Sequence, residues 1–206
     1  MNLLDFGYDY ILRALCNVIF SFYQLEIRGK EHVPEGKGCI LAANHLSFLD
    51  GLLISWSLRG RLFREHKIVH WIVHKRVYSN WLFRPACIFS RSVPINGSTS
   101  LAEKILKKGK YLGIFPQGGI CCSVTIKKGR RGVAVLAHKT GAPVIPCRIE
   151  GDIDESARIN IIPRMFRPLK LTFGKPIQYK KYHQERIPDD MLKKSLSEII
   201  HSINTA

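Results

Sequence analysis

Short, fully apolar runs recur along this chain, each bordered by a glycine or a proline: CILAA at Cys39–Ala43, YLGIF at Tyr111–Phe115 and PVIPC at Pro143–Cys147. A strand with one face in water alternates polar and apolar residues, whereas a run that is apolar at every position has to be covered on both faces. Between the runs lie stretches of helical period. Leu49–Ser57 reads as a helix, as does the segment capped near residues 98–100 and closed by Gly109. Arg131–Lys139 reads as a helix stopped by Gly141, and Pro188–Ile203 as an amphipathic one with Leu192, Leu196 and Ile199 or Ile200 inward. Further strands are expected at Lys67–Val73, Ala86–Ser90 and Leu169–Phe173, with a short helix at Ser79–Phe83 stopped by Pro85. Strands covered on both faces and alternating with helices predict one α/β domain around a largely parallel or mixed central sheet flanked by helices. No repeat, linker or second domain interrupts the pattern. The domain is expected over 28–206, preceded by an N-terminal helix region over 1–27.

That N-terminal region is read in two main ways, with a true membrane span as the remaining one. Ile11–Tyr23 is mostly apolar, but shorter than the roughly 20 residues that an uninterrupted membrane span requires. Polar residues fall four apart, at Asp5, Asp9, Arg13, Asn17 and Ser21, which draws a slowly drifting polar stripe along an otherwise apolar helix. Such a helix packs on the domain or lies in a membrane interface, a depth suited to Tyr8, Tyr10, Phe20, Phe22 and Tyr23. A basic leader and a small-residue cleavage site are lacking, which argues against a signal peptide.

Lys and Arg number 32 against 16 Asp and Glu, a formal charge of +16 over 206 residues. An excess of that size draws anionic partners: a phospholipid surface, an acidic carrier protein or a nucleic acid. Zinc-finger spacing, an aromatic RNA-binding strand and a helix-turn-helix pattern are all missing, so nucleic acid is set aside. The six cysteines show no C-x-x-C spacing, and adjacent Cys121 and Cys122 make a poor metal pair. They read as reduced thiols of a cytosolic protein, without a structural metal.

The run ILAA ends in NHLSFLD, Asn44–Asp50, where an amide, an imidazole, a hydroxyl and a carboxylate follow one another at the mouth of a helix. One reading is structural, with Asn44 or Ser47 capping the helix and His45 filling a loop. The other is chemical: His45 takes a proton, and Asp50 fixes its tautomer and supports the imidazolium. A base of this kind can deprotonate a hydroxyl directly, with no nucleophilic serine. The chain contains no G-x-S-x-G elbow.

His45 and Asp50 match the H-x4-D signature of the glycerolipid acyltransferases, the 1-acylglycerol-3-phosphate acyltransferases and their relatives, and the resemblance continues in order along nearly the whole chain. Arg91 in ACIFSRS resembles the arginine of the second block. IFPQGG, Ile114–Gly119, resembles the third, where the family usually carries glutamate, threonine and arginine and this chain has Gln117, Gly119 and Ile120. KKG at Lys127–Gly129 and LAHKTGAPVIPC at Leu136–Cys147 resemble the fourth block.

The resemblance implies transfer of a fatty acyl group from acyl-CoA or an acyl-carrier protein to a lysophospholipid hydroxyl, with no tightly bound cofactor. It assigns catalysis to His45 and Asp50, and substrate contacts to Asn44, Ser47, Arg91, Gln117, Gly118 and Gly119, with an oxyanion site near the two glycines. Lys75, Lys127, Lys128, Arg130 and Arg131 are expected to meet the donor or an anionic membrane. The protein is then a peripheral one, on the cytoplasmic face. A noncatalytic lipid-binding protein on the same scaffold stands as the alternative.

Overall fold

The central strands are buried because their side chains alternate between two separate cores. In β2 (Ile40–Ala43), Ile40 and Ala42 join one cluster and Leu41 and Ala43 the other. The same division holds in β5 (Tyr111–Ile114) and β6 (Val144–Gly151), where Leu112 and Val144 face one way and Tyr111 and Ile145 the other. The computed structural model describes residues 14–65, 67–81, 84–89, 92–95, 99–121, 123–153, 163, 165–182 and 186–206.

Among the described residues a seven-stranded mixed sheet results, completed by β1 (Gln24–Arg28), β3 (Val69–His74), β4 (Val93–Ile95) and β7 (Pro168–Phe173), in the order β1-β7-β6-β2-β5-β3-β4. The neighbours from β6 across to β4 are parallel, while β7 runs antiparallel to β6 and parallel to β1. One face is covered by α1 (the helical residues 14–21), α2 (Asp50–Ser57) and α3 (Arg59–Arg64), which bring Phe20, Leu53, Ile54 and Leu62 into the first core. The other is covered by α6 (Ser100–Lys107), α7 (Gly132–Thr140) and α8 (Asp189–Thr205), through Ile105, Val133, Leu136, Ile199 and Ile203.

Topology gathers one edge of the sheet. The parallel strands all end there. Because Gly151 at the end of β6 stands opposite Leu169 near the start of β7, β7 and its parallel partner β1 begin at that same edge. The loop after β2, the loop after β5, the start of α4 (Lys75–Ser79) and the junction of α1 with β1 therefore share it.

Three local expectations are corrected. β1 was not foreseen, and it joins the sheet across the expected 27–28 boundary: QLEIR alternates as an edge strand does, beside a helix whose apolar character masks it. The strand expected at Ala86–Ser90 does not form over Ala86–Phe89, and Ser90 lies outside the described residues. That stretch lies largely in α5 (Arg84–Phe89), with the strand displaced to β4. Pro85 does not stop a helix but occupies the first turn of α5, where its missing N–H costs nothing. Of the helix expected over 79–83, Ser79 ends α4 instead, Asn80 and Trp81 follow outside it, and residues 82 and 83 lie outside the described residues.

The described part of α1 and the turn after it bury Cys16, Phe20 and Tyr23 on the domain, and Asn17 Oδ1 accepts the Trp56 indole N–H at 2.7 Å. Leu15, Val18 and Phe22 remain exposed on its other side. Asp5, Asp9 and Arg13 lie outside the described residues. No helix among the described residues is long and apolar enough to cross a membrane.

Candidate active site

β2 stops at Ala43 because Asn44 continues the ladder with its side chain instead of its backbone. Its Oδ1 accepts the Ile149 N–H at 2.7 Å, and its Nδ2 donates to the carbonyls of Ile149 at 2.8 Å and Val124 at 3.3 Å. The side chain thus stands in for a peptide group against β6, and the main chain is released to turn upward.

That turn is closed by Asp50. Oδ2 accepts the backbone N–H groups of Leu46 at 2.6 Å and Ser47 at 2.9 Å, and Oδ1 accepts the Ser47 hydroxyl at 2.8 Å. Ser47 Oγ in turn accepts the Leu49 N–H at 3.2 Å. The carboxylate sits in the first turn of α2, where the helix dipole favours negative charge. His45 Nδ1 meets Asp50 Oδ2 at 2.8 Å, with the carboxylate almost wholly buried and the imidazole 17% exposed. A carboxylate already holding three N–H or O–H donors is a fixed acceptor, so it draws the imidazole proton to Nδ1 and leaves the lone pair on Nε2.

The loop after β5 clamps His45 from the other side. Gln117 Oε1 accepts the His45 N–H at 2.7 Å, and the His45 carbonyl accepts the Cys121 N–H at 2.8 Å. Phe115 stacks flat on the imidazole, 3.8 Å between centroids and 8° between planes, and Trp71 stacks on Phe115 at 4.8 Å. The indole fits because residue 113 is glycine: a Cβ there would overlap its ring. Gly118 takes φ 78°, a left-handed backbone, with the Arg130 guanidinium folded across it.

Several expected contacts are relocated. Asn44 and Ser47 are fully buried with their polar atoms spent within the chain, so they position the loop rather than meet substrate. The Gly118 N–H closes the turn on the Phe115 carbonyl at 2.9 Å and is not an oxyanion donor, whereas among the described residues nothing lies within 4 Å of where a Cβ of Gly119 would stand. Arg131 is paired with Asp189 at 2.8 Å, which ties α7 to α8. Lys127 and Lys128 are exposed. Lys75 lines an open depression of about 510 Å³ with His74, Arg76 and Ser79. Arg91 lies outside the described residues. Phe115 and Trp71 were not foreseen, and only the phenylalanine before Pro116 in the third block gave a signal.

Comparison with known proteins agrees with this architecture. A family profile described as Acyltransferase matches residues 24–150. An uncharacterized protein of Mycobacterium tuberculosis is 25% identical over 162 residues, 71% of this chain but 44% of that protein, so the chain spans less than half of such relatives. The 1-acyl-sn-glycerol-3-phosphate acyltransferase of Bacillus subtilis is 23% identical over 150 residues, 70% of this chain and 71% of the relative. The crystal structure of the 1-acyl-sn-glycerophosphate acyltransferase of Thermotoga maritima superposes with a TM-score of 0.60 at 18% identity, covering 100% of this chain and 85% of that one. That likeness bears on the fold. With the family profile spanning the stretches that carry His45, Asp50 and Gln117, the chain belongs to the glycerolipid acyltransferase family.

Proposed function

We propose that this chain transfers a fatty acyl group from an acyl thioester, acyl-CoA or acyl-carrier protein, to a hydroxyl of a lysophospholipid at a membrane surface, with 1-acylglycerol-3-phosphate as the first candidate acceptor. The observation that carries the reading is the 2.8 Å contact between His45 Nδ1 and an Asp50 carboxylate immobilised by three further hydrogen bonds. His45 Nε2 takes the acceptor hydroxyl proton as its oxygen attacks the thioester carbonyl. The C–S bond then breaks, and the departing thiolate recovers the proton from the imidazolium. Asp50 supports the imidazolium between the two steps. Gln117 and Phe115 hold the ring and its backbone, and the Gly119 N–H is offered to the developing oxyanion. The surplus cations, Lys127, Lys128 and Arg130 among them, meet the anionic donor or headgroups on the cytoplasmic face.

The test presents purified protein with a panel of lysolipids and both thioester types, and identifies products by mass spectrometry. His45→Gln should lower the rate by about 10² to 10⁴-fold while the protein stays folded, as checked by its melting curve. A variant retaining more than about a tenth of the wild-type rate would remove His45 as the base. Arg91→Ala, compared on phosphate-bearing and phosphate-free acceptors, tests whether that arginine grips a phosphate. Equal losses on both would sink that part.

A further inference from the structure

The sheet edge that carries His45 is rimmed by exposed apolar side chains at both ends. Beside β1 and β7, Phe22 and Phe166 stand edge to face at 5.8 Å, and Phe166 is 69% exposed. Leu15 and Val18 extend that patch along α1. At the opposite end, where β3 runs into α4 and α5, Val77, Ile88 and Trp81 are exposed, Trp81 at 83%. An indole so open to water is a large apolar surface left for something else to cover.

Charge indicates what covers it. Not one acidic residue occurs between Glu65 and Glu103, while Lys67, Lys75, Arg76, Arg84 and Arg91 fall in that interval. Lys75, Arg76 and Arg84 are exposed on the same two helices as Val77 and Ile88. Basic side chains around an exposed indole complement an anionic bilayer, whose headgroups take the cations while the acyl boundary takes the ring. An acidic carrier protein would answer the charge but not the apolar residues.

We propose that Val77, Trp81 and Ile88, with Lys75, Arg76 and Arg84, form a second docking pad for an anionic phospholipid bilayer, set across the sheet from the pad of α1. The inference rests on the reading of a membrane-borne acceptor and extends it. From β1 to β3 is five strand spacings, about 24 Å at ~4.8 Å each. One pad alone would let the domain swing about its contact. Two pads that far apart hold the edge bearing His45 flat against the lipid, so an acceptor reaches the imidazole without leaving the bilayer.

The experiment compares the full chain with Trp81→Ala and Trp81→Phe on phosphatidylglycerol vesicles, by co-sedimentation and by quenching of tryptophan fluorescence with brominated acyl chains. Because Trp81 is so exposed, its melting temperature should not move. Losing half or more of the indole contact should weaken vesicle partition of Trp81→Ala about tenfold. Most of the bromine quenching should vanish in Trp81→Phe. Acyl transfer to a bilayer-presented acceptor should fall with the partition, while transfer to a monomeric short-chain acceptor should hold.

Partition unchanged within about twofold, or undiminished quenching in Trp81→Phe, would overturn the pad. So would an equal rate loss on the monomeric acceptor, which would put Trp81 at the substrate, or a loss confined to carrier-protein donors. Wild-type protein with no acyl transfer at all would sink the proposed reaction, leaving partition and quenching to decide the docking.

Discussion

Asp50→Asn separates the charge of the His45 partner from its shape. The oxygen now at Oδ2 faces the N–H groups of Leu46 and Ser47 at 2.6 and 2.9 Å. An amide nitrogen placed there would meet two backbone donors and the Nδ1 proton of His45, so the asparagine has to turn its carbonyl to that side. His45 keeps its acceptor and its tautomer. The amide nitrogen falls at the Oδ1 position, where Ser47 Oγ can accept but its own proton loses a partner, costing about 1 to 3 kcal/mol of stability.

What disappears is the charge that faces the imidazolium. At roughly 4 Å between charge centres and an effective dielectric near 20, that attraction is about 4 kcal/mol. The retained carbonyl hydrogen bond offsets about 1 kcal/mol of it. About 3 kcal/mol remains, a little over 10²-fold in rate. That is less than the ~10⁴-fold seen where loss of the carboxylate also flips the histidine tautomer. Product formation followed by mass spectrometry supplies the rate, since exposed Cys121 would interfere with a thiol-trapping readout. Nitrogen NMR of labelled histidine, with His45→Gln to assign the signal, supplies the tautomer. A loss under about fivefold would refute the role of the charge. A proton found on Nε2 would refute the argument that Leu46 and Ser47 fix the amide.

Gly113→Ala should destabilise the fold by about 1 to 3 kcal/mol in urea unfolding and also slow transfer, because the new methyl displaces Trp71 and with it the Phe115 stack on His45. Asn44→Ala strands the Ile149 N–H and carbonyl in the core, and should cost about 2 to 4 kcal/mol by the same measurement. Burial alone would raise the Glu65 carboxyl, but hydrogen bonds from Lys67, the Gly36 backbone and Tyr111 outweigh it and hold the group below its usual range. Its stabilisation is therefore present above the ordinary carboxyl value of 4.5 and lost as pH falls through the depressed one. Wild type should thus exceed Glu65→Gln by on the order of 1 kcal/mol at neutral pH and converge with it in acid, read from melting curves across pH.

What was legible in the sequence was local. The apolar runs of β2, β5 and β6 declare strands covered on both faces, and the His45–Asp50 pair declares itself because both residues belong to one short loop. Edge elements were harder. Ala86–Ser90 is too short for its period to distinguish strand from helix, and a proline in a first turn looks like one that ends a helix. Contacts across the chain left no local trace. Asn44 beside a reactive histidine reads as a substrate ligand, yet its partners Val124 and Ile149 lie 80 and 105 residues away. Gln117 reaches the His45 N–H across 72 residues, and the Phe115 stack closes between two strands that only the sheet order brings together.

The same distance accounts for the departure that looked most damaging to the resemblance. A glutamine in place of the glutamate of the third block loses a charge, but the contact it makes here is with a backbone N–H, which a neutral carbonyl serves. A carboxylate at 117 would accept that hydrogen bond more strongly while adding a second negative charge close to His45, where Asp50 already supplies one. Ile120 carries no cation, yet the Arg130 guanidinium lies folded over Gly118 in the same turn, arriving from the start of the segment that leads into α7. Position along the chain and position at the site have come apart: a block that lacks its glutamate and arginine in sequence still has an acceptor for His45 and a cation beside the glycine turn in space.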